Sequence, residues 1–365
     1  MNLKNNLNKQ GKKITVKHSA ATIILLCIFT SAFLLESVNC SSDNRASKSE
    51  RDSTLAEIAE MFTEEKLWTA PDIATIPNND EGKLIKYGLN LVVHTSKYFG
   101  PKGSVSSNGN GLNCQNCHME AGTRPYGNNL GAASTIYPKY LPRSGTVVSL
   151  AEKINECFYR SLNGDVIDTT SKEMRALVAY TTWLGKDFHK DPKLKGSRGI
   201  DAPNFIDRAA DPAKGEKTYD ELCARCHGKD GKGQFTEDVL KDITKQQGGI
   251  ATADDLYYYP PLWGDKSYNA IATLYRVGKL AGFIKHNMPY PLTYKNSVLT
   301  DEQAWDIAAY INSRERPEKD HSKDYSIDIS KKPYDFPFAP YADSYSQQQH
   351  KFGPFTDMPS AMKAH

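Results

Sequence analysis

Apolar side chains recur at spacings of three and four residues in several stretches, which is typical of helices with one buried face. Gly88 lies within one of these faces. Glycine lowers the stability of a helix by about 1 kcal/mol relative to alanine, so its presence indicates that another helix packs closely there. The faces comprise Leu84, Gly88, Leu91, Val92 and Thr95; Met174, Leu177, Val178, Thr181 and Leu184; and Ala304, Ile307, Ala308 and Ile311. The pattern therefore predicts a mainly α fold.

Polar residues mark where three of the helices begin. Thr170 with Glu173, and Thr300 with Gln303, have the spacing of a capping box, in which each side chain bonds the other residue's backbone N–H. Asp211-Pro212 is typical of an N-cap residue followed by the first helical residue. These signals predict helices that start near residues 170, 211 and 300.

The N-terminal segment has the pattern of an export signal. Lys12, Lys13 and Lys17 precede an uncharged apolar run, Ala20–Leu35. This run is shorter than the roughly 20 residues that a transmembrane helix needs, so it predicts a signal peptide over residues 1–39. Ser37–Cys40 resembles a loose lipobox, which predicts a bacterial periplasmic protein with a lipid anchor at Cys40. Simple cleavage and an uncleaved anchor are the alternatives.

Composition limits the range of partners. Five lysines and one glutamate in residues 1–39 contribute +4 to the formal net charge of +3, so the remainder carries −1. The chain therefore offers no basic field for nucleic acid. The tail from residue 317 to 365 is rich in tyrosine, phenylalanine and proline, and we expect it to be extended and to pack on the rest of the protein.

Two Cys-x-x-Cys-His motifs indicate the chemistry. They are Cys114–His118 and Cys223–His227. Two thiols at this spacing can attach one porphyrin, and the histidine that follows can bind its iron. A structural zinc site is the alternative, but it would need more cysteine and histidine pairs at ligand spacing. The motifs predict two covalently attached haem c groups, held by Cys114, Cys117, His118, Cys223, Cys226 and His227.

The motifs and helices together predict two cytochrome c-like haem domains in tandem with an extended C-terminal tail. The expected boundaries are a tether over residues 40–79, a first domain over 80–190, a second domain over 191–316 and the tail over 317–365. Cys157 belongs to neither motif. A lone cysteine of this kind is either a small buried apolar residue or a thiolate ligand of haem iron, and the residues alone leave both open.

Longer stretches resemble the thiosulfate dehydrogenase family of dihaem cytochromes, the TsdA type. The similarity runs in order from about Gly82 to Phe355. In the first unit it is carried by Gly111–His118, Tyr137–Tyr140, Arg143–Gly145 and Asn155–Gly164. In the second unit and the tail it is carried by Tyr259–Gly264, Phe283–Lys285, Asn287–Pro289, Ala304–Asp306, Asp335–Pro337 and His350–Phe355.

The resemblance implies an activity and a set of site residues. Thiosulfate is oxidised to tetrathionate, or tetrathionate is reduced, at a first haem whose axial ligands are His118 and Cys157. The Cys157 sulfur takes part in forming the sulfur–sulfur bond. Electrons then pass through the second haem to a periplasmic partner such as a small cytochrome c. Lys139, Arg143 and Arg160 lie in matched motifs and are candidate anion ligands, although each could instead bind a haem propionate.

The second haem departs from the family pattern. Leu274 stands where the family has a methionine ligand, and leucine cannot bind iron. Met288 is the predicted ligand instead, on the precedent of thioether ligation. It could alternatively fill a gap in the core, with His286 or Lys279 as the ligand.

Two other functions are compatible with the motifs. The first is a dihaem electron-transfer cytochrome without substrate chemistry, which would not need a thiolate at Cys157. The second is a related oxidoreductase that acts on another sulfur compound, an alternative that the altered segment around Leu274 keeps open.

Overall fold

The computed structural model describes residues 67–188, 194–241 and 251–358. The predicted signal peptide over residues 1–39, the predicted lipid attachment at Cys40 and the tether up to residue 66 lie outside them. The described residues belong to one compact unit, Glu65–His365. None of the helices in these three ranges is both long enough and apolar enough to cross a membrane.

Two long helices form the frame of the first domain. Helices α1 (Asp80–Val93) and α5 (Lys172–Leu184) pack side by side along their apolar faces. Their contact is closest at Gly88, where a Cβ atom would lie 2.0 Å from the carbonyl oxygen of Ala176. The predicted close packing at Gly88 is therefore confirmed.

The start of α5 corrects the predicted capping box. Ser171, and not Thr170, is the N-cap, and its hydroxyl accepts a hydrogen bond from the Met174 N–H. The Thr170 hydroxyl donates to Asp168 at 2.9 Å instead. The Thr170 hydroxyl is therefore engaged by the Asp168 carboxylate and does not cap the helix, which begins one residue later than predicted.

Shorter elements complete the first domain. They are α2 (Thr95–Phe99), α3 (Ala133–Ile136), an antiparallel hairpin of β1 (Lys139–Leu141) and β2 (Thr146–Val148), α4 (Leu150–Arg160), and 3₁₀ turns at Ile73–Thr75 and Cys114–Asn116. The described end of the predicted tether packs on this domain, since Trp68 is buried against Ala132 and Phe188. Residues 194–200 also contact it, through bridges from Lys195 to Leu67 and from Gly199 to Asn129.

The second domain has its own helical frame. Its elements are α6 (Pro212–Leu222), α7 (Ala224–His227), β3 (Gln234–Phe235), α8 (Thr236–Leu240), β4 (Tyr257–Tyr259), α9 (Val277–Asn287), α10 (Asp301–Asn312), and 3₁₀ turns at Thr273–Tyr275 and Tyr294–Asn296. Asp211 caps α6, and Thr300 and Gln303 form a capping box on α10, which confirms both predicted starts. Helix α9, which packs on α10, was not among the predicted helices.

The described part of the tail contacts both domains. It is mostly irregular, with a 3₁₀ turn at Ile329–Lys331 and a short helix, α11 (Gln347–Phe352). The Tyr325 N–H donates to the Arg143 carbonyl in the first domain. Arg276 of the second domain donates to the Asp335 carboxylate at 2.7 Å. Burial of Phe336, Phe352 and Phe355 explains why the tail is so aromatic.

Candidate active site

The first cysteine motif lines a cavity in the first domain. Cys114–Asn116 forms a 3₁₀ turn, so both cysteines and His118 reach the same cavity. Nδ1 of His118 lies 2.5 Å from the Asn128 carbonyl oxygen, which orients the ring and leaves Nε2 for a metal. Burial lowers the pKa of His118 and favours the neutral imidazole that binds iron.

The second motif has the same arrangement. Cys223 precedes α7, which ends at His227, and both residues line a second cavity together with Cys226. Nδ1 of His227 lies 2.9 Å from the Pro260 carbonyl oxygen. Burial lowers the pKa of His227 as well. Each motif therefore supplies two thiols and a neutral, oriented imidazole, which is the donor set that a covalently attached haem needs.

Cys157 lines the first cavity together with His118. This open cavity is lined mainly by apolar side chains, many of them from α3, α4 and α5. Cys157 lies in the last turn of α4, and a capping box of Ser149 and Glu152 fixes the start of that helix. Burial raises the pKa of the Cys157 thiol, and the nearby Lys153 ammonium opposes part of that rise. The geometry thus brings a candidate thiolate ligand to the same cavity as the candidate proximal histidine.

Lys153 also lines this cavity, although the sequence reasoning did not select it. Burial by itself lowers the pKa of Lys153, but the charges of Cys157 and Glu156 outweigh it and raise the pKa. Its Nζ lies 2.7 Å from a Glu156 carboxylate oxygen. The four-residue spacing from Lys153 to Cys157 places both on one helix face, and this spacing was the available signal. Arg198 lines the cavity as well and was also missed.

The three cations selected from the sequence do not line the cavity. Lys139 lies on β1 with an exposed side chain. Arg160 donates two hydrogen bonds to the Asp324 carboxylate, at 2.9 and 3.0 Å. Nε of Arg143 lies 3.3 Å from the same carboxylate. Both guanidinium groups therefore connect the first domain to the tail.

Arg124 points from the first domain toward the second domain. It is buried, and its guanidinium donates to the carbonyl oxygens of Pro291 and Leu292. It also lies 5.4 Å from the centre of the Tyr290 ring. These contacts place Arg124 against the segment that follows Met288.

Met288 lines the second cavity together with His227. Neither alternative ligand lines it. Lys279 donates from Nζ to the Ile200 carbonyl oxygen at 2.6 Å. His286 packs against Tyr126, with ring centres 5.1 Å apart. Leu274 lines the cavity too, in agreement with its alignment to a ligand position.

The two cavities share part of their walls. Leu112 and Cys117 line both cavities, and Met119, which directly follows the first motif, lines the second. Met119 is buried in the core of the second domain. The protein between the two candidate haem positions is therefore thin at Cys117.

Comparisons with known proteins identify the two domains and the family. A family model described as "SoxA/TsdA, cytochrome c domain" matches residues 105–188, and one described as "Cytochrome c" matches residues 212–315. The thiosulfate dehydrogenase of Stutzerimonas stutzeri (strain A1501) is 34% identical over 287 residues, covering 79% of this chain and 85% of that protein. The chain belongs to the thiosulfate dehydrogenase family. The resemblance inferred from the sequence is therefore confirmed.

Other members of the thiosulfate dehydrogenase family agree. The thiosulfate dehydrogenase of Psychrobacter arcticus is 34% identical over 249 residues, covering 68% of each chain. A solved structure, thiosulfate dehydrogenase (TsdBA) from Marichromatium purpuratum in its as-isolated form, superposes with a TM-score of 0.56 at 31% identity. The match covers 69% of this chain and 50% of that chain, so the present chain spans about half of the solved one.

Membership of the thiosulfate dehydrogenase family confirms the predicted fold class and cofactors. The protein has two cytochrome c domains in tandem in a mostly helical structure. It carries two covalently attached haem c groups. The protein is an oxidoreductase of the cytochrome c type.

Proposed function

We propose that this protein oxidises thiosulfate to tetrathionate, or catalyses the reverse reduction, in the cavity lined by His118 and Cys157. The observation that carries the proposal is that Cys157 lines the same cavity as His118, within a chain whose relatives are named thiosulfate dehydrogenase. A simple electron carrier has no need of a thiolate at that position. Two thiosulfate anions joined by a new sulfur–sulfur bond give one tetrathionate and release two electrons.

The chain's own residues bind and orient the anions. Haem, when attached, supplies the redox centres that accept the two electrons. Lys153 and Arg198 supply positive charge inside the cavity, which reduces the repulsion between two thiosulfate dianions. Cys157 would bind the iron of the first haem together with His118, and its sulfur would take part in the coupling. Roles for Lys139, Arg143 and Arg160 in anion binding remain predictions.

The second haem is the proposed exit for electrons. His227 and Met288 would hold its iron, because both line its cavity while His286 and Lys279 do not. The thin wall at Cys117 supports direct transfer between the two haems. A small periplasmic cytochrome c is the proposed partner. Export through residues 1–39 and lipid attachment at Cys40 fit the maturation of c-type cytochromes outside the cytoplasm, and both remain proposals.

Anaerobic visible spectroscopy tests the activity and the role of Cys157 together. Thiosulfate is added to the oxidised holoprotein and to its Cys157→Ala variant, and tetrathionate is assayed. We expect haem reduction with formation of tetrathionate in the wild type and at least a hundredfold slower reduction in the variant, because the coupling site loses its sulfur. Equal rates in the two proteins would remove Cys157 from the chemistry.

The reverse reaction separates the remaining alternatives. Tetrathionate is mixed with the dithionite-reduced holoprotein after removal of excess reductant. Oxidation of the haems would support the reductase direction. Failure in both directions would leave an electron carrier or an enzyme for another sulfur compound.

A further inference from the structure

The end of α4, which carries Cys157, depends on the second domain. The last carbonyl groups of an α-helix have no partner within the helix. At the end of α4 the Cys157 carbonyl accepts the N–H groups of Ser161 and Leu162, and the Phe158 carbonyl accepts that of Gly164. The next two carbonyls, those of Tyr159 and Arg160, find their partners in Asn269.

Asn269 is a fully buried residue of the second domain. Its side-chain Nδ2 donates to the Tyr159 carbonyl at 2.9 Å, and its backbone N–H donates to the Arg160 carbonyl at 3.2 Å. Nδ2 also lies 3.1 Å from Oδ1 of Asn163, just beyond the helix end. One residue from outside the domain therefore satisfies both remaining carbonyls of the turn that holds Cys157.

Asn269 is itself held firmly. Its Oδ1 accepts the N–H of Ile271 at 3.2 Å, so every polar group of the side chain is paired. Two residues earlier, the Ser267 carbonyl accepts Nδ2 of Asn110, in the loop that leads to the first cysteine motif. The segment Ser267–Asn269 thus contacts the first domain both before Cys114 and after Cys157.

We propose that Asn269 is a positioning residue of the second domain that holds the last turn of α4 and thereby keeps Cys157 at the first haem. This inference rests on the proposed ligation by Cys157. An iron–sulfur bond depends on the position of its thiolate, and partners that orient a ligand typically contribute about ten- to a hundredfold to metal affinity or activity. The helix end needs the second domain to form its full set of hydrogen bonds.

Electron paramagnetic resonance of the oxidised holoprotein tests this inference without substrate. The variants are Asn269→Ala and the milder Asn269→Ser, with Cys157→Ala as the reference for a lost thiolate. Asn312→Ala is the matched control. Asn312 is also buried, and its Nδ2 bonds the carbonyls of Leu274 and Tyr275, all within the second domain.

We expect both Asn269 variants to shift part of the first haem's low-spin signal toward that of Cys157→Ala, and Asn269→Ala to slow thiosulfate oxidation about tenfold. The Asn312→Ala signal for the first haem should match the wild type. Wild-type signals in folded Asn269 variants, or the same shift in Asn312→Ala, would overturn the positioning role. An unchanged signal in Cys157→Ala would instead show that Cys157 is not a ligand, which overturns the inference together with that part of the proposed function.

Discussion

At the scale of single residues, the first cavity needs positive charge, and Lys153 is the cation that α4 brings there. Thiosulfate is a dianion, and a charge-assisted hydrogen bond contributes about 1.5–3 kcal/mol. Lys153 shares a helix face with Cys157 and lines the cavity, while Lys139 lies exposed on β1. The position of Lys153 therefore matches the substrate better than that of Lys139.

We predict that Lys153→Met raises the thiosulfate KM at least about tenfold, because 1.4 kcal/mol of lost binding corresponds to a factor of ten. Methionine keeps most of the length of the side chain and removes the ammonium group with its charge and its hydrogen-bond donors. Lys139→Met is the comparison, and we expect a smaller effect from it. Steady-state reduction of an artificial electron acceptor gives both KM values. A larger effect of Lys139→Met would contradict this prediction and would support Lys139 as the anion ligand, as the sequence motif indicated.

At the scale of secondary-structure elements, the segment after Met288 is fixed from the first domain. Arg124 donates to the carbonyl oxygens of Pro291 and Leu292 and packs on Tyr290. Because these residues follow Met288 directly, the contact restricts the positions open to its thioether. Arg124 thus contacts the segment that carries the proposed ligand Met288, although it belongs to the loop after the first motif.

We predict that Arg124→Gln weakens methionine ligation at the second haem. The sulfur-to-iron charge-transfer band of the oxidised holoprotein should disappear at a lower temperature than in the wild type, well before the helices unfold. Met288→Leu defines the spectrum without the band. Arg314→Gln is the control, because Arg314 pairs with Glu216 within the second domain. A band equally stable in Arg124→Gln and wild type would contradict the prediction.

The elements also show what the sequence could predict. Helices with apolar periodicity and polar caps were predicted correctly, because both signals are local. Helix α5 begins one residue later than predicted, because the Thr170 hydroxyl donates to Asp168 and does not cap the helix. Helix α9 was missed, because eight of its eleven residues are buried and it has no single apolar face to detect. Arg143 and Arg160 were selected from motifs, but their partner, Asp324, lies 181 and 164 residues away along the chain, respectively. Such a pairing depends on tertiary structure that local patterns do not contain.

At the scale of the whole molecule, the tail joins the two domains through charge as well as aromatic packing. Asp324 is 8% exposed and is shared by Arg143 and Arg160 of the first domain. Farther along, Asp335 pairs with Arg276 of the second domain. Phe336 follows Asp335 directly, and the centre of its ring lies 5.4 Å from the Arg143 guanidinium. The tail is therefore part of the folded structure of both domains.

We predict that Asp324→Asn lowers the free energy of unfolding by about 3 kcal/mol, because it leaves two mostly buried guanidinium groups without a counter-charge. Urea denaturation of the holoprotein, followed by circular dichroism, measures the change. Asp320→Asn is the control, since Asp320 is exposed and its carboxylate accepts the nearby Ser322 N–H. If Arg143 and Arg160 served chiefly to bind substrate, Asp324→Asn would instead alter the thiosulfate KM and leave stability close to wild type. A stability loss at an unchanged KM would place both arginines in the attachment of the tail, and the anion would then depend on Lys153 and Arg198 inside the cavity.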